Sequence, residues 1–61
     1  MDIRDRAHGE FIRLREQGYE IEWALDLAAQ FAYNTNDLDS VDEDDLCDLK
    51  AWLNLNDTVV E

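Results

Sequence analysis

Apolar residues recur at intervals of three and four along most of this chain, and two short polar breaks interrupt them. No proline occurs anywhere. That spacing places side chains on one face of a helix with 3.6 residues per turn. The sequence therefore predicts three helices and no sheet.

The first helix, about Ile3 to Gln17, carries Ile3, Ala7, Phe11 and Leu14 inward, with Gly18 as its C-terminal stop. Asp2/Arg6 and Arg6/Glu10 fall four apart on its expected outer face. The second, about Glu20 to Tyr33, sets Ile21, Ala24, Leu25, Ala28, Phe31 and Ala32 against Glu22, Asp26 and Gln30. Asn34-Thr35-Asn36-Asp37 ends it with residues that favour turns. A capping box, Ser40-Val41-Asp42-Glu43, is expected to start the third helix, in which Leu46, Leu49 and Leu53 form a stripe beside Trp52. Asn54-Leu55-Asn56-Asp57 should stop it, leaving Thr58-Val59-Val60-Glu61 as a tail that docks or frays. The expected fold is all-α, a small three-helix bundle in one domain over residues 1–61.

A chain of 61 residues buries only about 60% of the surface its unfolded form exposes. Disulfides or a metal often compensate in small domains. Here Cys47 has no second cysteine to pair with, and His8 alone cannot anchor a zinc site. The lone thiol suits a reducing cytoplasm. The N-terminus Met1-Asp2-Ile3-Arg4-Asp5-Arg6 has no apolar signal-like region, and the uncharged run Leu27 to Asn36 is too short and polar to span a bilayer. Secretion and membrane insertion are disfavoured, and cytoplasmic localisation is the expectation.

Charge is placed unevenly. Residues 1–17 hold four bases and four acids, whereas residues 18–61 hold twelve acids and Lys50, giving a formal −11. The densest stretch is Asp37-Leu38-Asp39-Ser40-Val41-Asp42-Glu43-Asp44-Asp45-Leu46-Cys47-Asp48, with seven acids and no base. As a continuous helical rod it would span roughly 18 Å, over which duplex DNA carries roughly eleven charges. Acids in a helix's first turn are favoured by its dipole, but four adjacent ones also repel one another. The run therefore has two readings, a partner-facing surface or a solvated face. Fast capture by a basic partner suits such a surface, and nucleic acid and anionic membranes do not.

Other chemistries fit less well. A calcium loop starting at Asp37 would place Val41 and Asp42 where a ligand and the turn glycine belong. Paired carboxylates need a pocket to shift their pKa values, and three short helices leave little room for one. His8 has no serine or cysteine close in sequence to activate. Cys47 lies in an anionic neighbourhood that should raise a thiol's pKa, so it is expected to be a small core residue. No catalytic residue, metal ligand or cofactor is expected. Trp23 falls near the edge of the second helix's apolar face, beside Glu22 and one turn from Asp26. It reads either as a binding anchor or as core filler, and Trp52 reads mainly as core. A helix-turn-helix DNA reader is disfavoured because its third helix would present Asp42, Glu43, Asp44, Asp45 and Asp48 to the duplex.

The order helix, Gly18-Tyr19, helix, acidic turn, helix ending Trp52-Leu53 resembles ubiquitin-associated domains, which implies a three-helix unit. Gln17 stands where that family usually has methionine, so ubiquitin binding is not carried over. Small acidic inhibitors encoded by phages are similar in size and charge. The leading expectation is a non-enzymatic inhibitor that mimics nucleic-acid charge in the basic groove of a nuclease, glycosylase, CRISPR effector or polymerase. Asp37, Asp39, Asp42, Glu43, Asp44, Asp45 and Asp48 would stand in for phosphates, joined by Glu22, Asp26 and Trp23. The alternative is a structural or adaptor subunit docking through an apolar helix face, or a homodimer that supplements a small core.

Overall fold

The computed structural model describes residues 2–58. Residue 1 and tail residues 59–61, including most of the stretch expected to dock or fray, lie outside the described residues. Three α-helices follow one another, α1 (Ile3–Glu16), α2 (Ile21–Tyr33) and α3 (Glu43–Leu55), with a single 3₁₀ turn (Leu38–Ser40) before α3. No strand occurs among the described residues. The architecture is the small all-α three-helix bundle that the spacing predicts.

Both breaks work as the residue types dictate. Gly18 takes φ +99°, and the amides of Gly18 and Tyr19 reach the carbonyls of Arg15 and Leu14 at 3.0 and 3.1 Å. This paired closure satisfies carbonyls that the helix end leaves open. Asn34 closes α2 in the same way, at φ 54° and ψ 46°, with Thr35 N bonded to Gln30 O and Asn34 N to Phe31 O. Asparagine tolerates this left-handed conformation better than most residues.

α2 is the central helix and packs against both others. Its buried residues are Ala24, Ala28, Ala29 and Ala32, which let α1 and α3 approach closely. Ala7, Phe11 and Leu14 of α1 and Leu49 and Leu53 of α3 complete the core. Phe11 and Leu53 are the large side chains buried completely.

Several sequence expectations need correction. Ser40 does not cap α3. It sits in the 3₁₀ turn, where its hydroxyl donates to the Asp37 carbonyl at 2.7 Å, and Asp42 caps instead by accepting from Asp44 N at 2.9 Å. Cys47 is exposed rather than in the core, because it lies about 100° around the helix from Leu46. Phe31 is 48% exposed, turned to the flank of α2 beneath the Arg6 guanidinium, 5.4 Å from the ring centre. Arg6 therefore forms no ladder with Asp2 and Glu10. Asp2 caps α1 by accepting from Arg4 N at 3.0 Å, and Glu10 pairs with Arg13 at 2.7 Å.

Candidate functional site

The acidic run is held in place by the few apolar residues within it. Leu38, Val41 and Leu46 are half-buried and Leu49 is buried, so each turns inward and pushes its acidic neighbours out. Asp37 stabilises the turn by accepting from Asp39 N at 3.1 Å, and Asp42 does the same for α3. Glu43, Asp44 and Asp45 occupy the first turn of α3, where the backbone amides favour negative charge. Asp48 follows one turn on.

Asp37, Asp39, Asp42, Glu43, Asp44, Asp45 and Asp48 are all exposed. The 3₁₀ turn breaks the continuous rod expected from sequence, and the acids are densest in the helical part. Asp42 to Asp48 rises about 9 Å and carries five carboxylates, about one per 1.8 Å. Duplex DNA carries one charge per about 1.7 Å.

Each of the five basic residues is engaged elsewhere. Arg4 lies over the Trp52 ring at 5.7 Å and Arg6 over Phe31. Arg13 pairs with Glu10, Lys50 with Asp26 at 2.5 Å, and Arg15 with Asp57 at 3.2 Å. Among the described residues, no ion pair reaches the seven acids of the run. Arg4 comes nearest, lining a shallow depression with Tyr33, Asp45 and Asp48.

Tyr33 in that depression has a perturbed phenol. Burial, reinforced by the negative charges of Asp45 and then Asp42, pushes the Tyr33 phenol above its ordinary 10.0. Arg4 lines the same depression, yet Asp45 and Asp42 still act on the phenol in the raising direction.

The remaining expected site residues separate from the run. Asp26 is neutralised by Lys50, so the extension of the acidic face onto α2 reduces to Glu22, which is exposed. Trp23 is 63% exposed and is not core filler. It lies on the outer side of α2, opposite the alanine face. α2 and α3 run antiparallel, with Asp26 beside Lys50 and Tyr33 beside Asp45. Trp23 is thus roughly 15 Å along the helix axis from Tyr33, at the opposite end of α2 from Asp42 and Asp45.

Two arrangements escaped the sequence reading. Arg15 is 7% exposed, because it follows Phe11 by four residues and Ala7 by eight, a spacing that places it on the buried face. His8 donates from Nε2 to the Asn56 carbonyl at 3.1 Å and meets Trp52 edge to face, 5.7 Å between centres. Its role is to tie α1 to the end of α3.

Among the described residues, no group of three or more His, Cys, Asp or Glu side chains is disposed to hold a metal ion, and no helix is long and apolar enough to cross a membrane. No family model, curated protein or solved structure matches this chain. The resemblance to ubiquitin-associated domains therefore rests on sequence pattern alone.

Proposed function

We propose that this chain is a non-enzymatic binding protein whose acidic face occupies a basic, nucleic-acid-binding groove on another protein and blocks it. The observation that carries the reading is the charge arrangement. Seven exposed carboxylates from Asp37 to Asp48 face solvent while all five bases are drawn into contacts elsewhere. On α3 their axial density matches that of a duplex, so a groove lined with lysine and arginine would gain Coulombic attraction comparable to that from DNA. Because the acids are held on a folded surface, less side-chain and chain entropy is lost on binding than for a flexible acidic tail. The run carries this reading without Trp23.

The test is capture of nucleic-acid-processing proteins from lysate at low and moderate salt, with and without duplex DNA as competitor. The expected partner is released by DNA and by salt. A variant with Asp42, Asp44, Asp45 and Asp48 changed to Asn should lose it while keeping its helicity, since asparagine at position 42 still caps. Undiminished capture by that variant would overturn the reading.

A further inference from the structure

The charge of Arg6 goes without the partners its own helix offers. Asp2 and Glu10 stand four residues to either side of it, the spacing at which helical ion pairs form. Asp2 instead accepts from the amide of Arg4, and Glu10 pairs with Arg13. Among the described residues, no carboxylate pairs with the half-buried Arg6 and no acceptor takes a hydrogen bond from its guanidinium. Its contact is with the ring of Phe31, 5.4 Å from the centre. An aromatic face attracts the charge but gives the N–H fork no lone pair to donate to.

Arg6 and Phe31 form one wall of a depression of about 350 Å³ beside the end of α2, within the roughly 300–1,000 Å³ of small-ligand sites. Gln30, Asn34 and Asn36 line the rest with primary amides. None of these three amides makes a side-chain hydrogen bond among the described residues. No acid lines the depression. In a chain with sixteen acids this sets it apart from its neighbours, which carry Asp5 and Glu10, or Asp45 and Asp48, or Glu22 and Asp26. Asp37 follows Asn36 in the chain, but its carboxylate accepts from the Asp39 amide at 3.1 Å.

One guanidinium and three amides present N–H donors and no negative charge, which disfavours a basic ligand and suits an anion. The planar fork of arginine matches the two oxygens of a carboxylate. A phosphate with its second negative charge would be opposed more strongly by the formal −11 of the chain. We propose that the depression between Arg6 and the Asn34–Asn36 turn binds a carboxylate group, supplied by a small organic acid or by the C-terminus of a peptide. The inference stands independently of the proposed function.

Proton–nitrogen correlation NMR of the full chain provides the test, with sodium acetate, acetylated trialanine and the C-terminal amide of that peptide as probes, against sodium chloride at matched ionic strength. Acetate and the free-acid peptide should shift the Arg6 Nε–H and the side-chain amides of Gln30, Asn34 and Asn36 saturably. Chloride and the peptide amide should not. Equal affinity for the two carboxylates assigns the site to a small acid, and tighter binding of the peptide assigns it to a chain terminus. Arg6→Gln should weaken binding about tenfold or more, and Arg6→Lys, which keeps the charge without the fork, should weaken it less. Asn36→Asp, at an exposed position, should abolish binding with unchanged circular dichroism. No saturable shift with either carboxylate, an equal response to chloride or to the peptide amide, tighter binding of inorganic phosphate than of acetate, or undiminished binding by Arg6→Gln would overturn the proposal. The acid-run Asn variant should still bind acetate, which separates this site from the acidic face.

Discussion

Arg15 donates from Nε to Asp57 Oδ2 at 3.2 Å, joining the end of α1 to the residue just past the turn that closes α3. Both side chains are almost wholly shielded, at 5% and 12% exposure, and Arg15 also donates from Nη1 to the Tyr19 carbonyl at 2.8 Å. One guanidinium thus holds together the loop after α1 and the segment after α3.

Removing one member of this pair should be severe. Arg15→Ala or Asp57→Asn leaves the other group buried beside a lost partner, which costs about 3–5 kcal/mol. Small domains have total stabilities of about 5–15 kcal/mol. Urea unfolding is expected to show both single variants barely folded. Arg15→Met with Asp57→Leu removes both charges, and its loss should fall well short of the sum of the single losses.

The two glycines should respond with opposite signs. Gly9 lies inside α1 with open space where a Cβ would project, so Gly9→Ala should stabilise by about 0.5–1 kcal/mol through helix propensity. Gly18 also has open space, but its φ of +99° disfavours any L side chain. Gly18→Ala should cost about 1–2 kcal/mol. Thermal melts of the two variants should bracket the parent.

Tyr33 gives the chain an alkaline limit. Its phenol is harder to ionise in the folded state, with burial the leading cause and Asp45 and Asp42 adding to it. The folded chain thus holds that proton more tightly than the unfolded chain does. The associated stability is complete below the ordinary value of 10.0 and is lost as pH rises through the raised one. Tyrosinate absorbance, read against a Tyr33→Phe control, should show late ionisation that moves to lower pH in Asp45→Asn.

Salt should stabilise the isolated fold. The acids of the first turn of α3 lack ion pairs and repel one another, and moderate ionic strength screens exposed charges over about 10 Å. The denaturation midpoint should rise with added salt, and Asp44→Asn, Asp48→Asn should flatten that rise. An unchanged slope in this variant would mean that the repulsion lies elsewhere.

Much of the fold was legible because its signals were local. Gly18 and Asn34 each end a helix through their own backbone preference, and the spacing of Phe11, Leu14, Leu49 and Leu53 reports burial directly. Errors arose where two local options competed. Ser40 had the pattern of a cap, but Asp37 offered its hydroxyl a nearer carbonyl and Asp42 took the cap three residues before Asp45. Arg15 has the periodicity of a core position but a charge that argues against burial, and its partner lies forty-two residues away. The seven acids of the candidate site were visible as a run. That Lys50 would neutralise Asp26, and that Trp23 would face away at the far end of α2, depended on how the helices pack.

The alanine seam of α2 also bears on how this protein responds to heat. Where a central helix buries Ala24, Ala28, Ala29 and Ala32 in place of leucines, unfolding uncovers little hydrocarbon. The heat capacity and enthalpy of unfolding both scale with what is uncovered. Its stability curve should be shallow and its thermal transition broad, so that warming depletes the folded population by degrees.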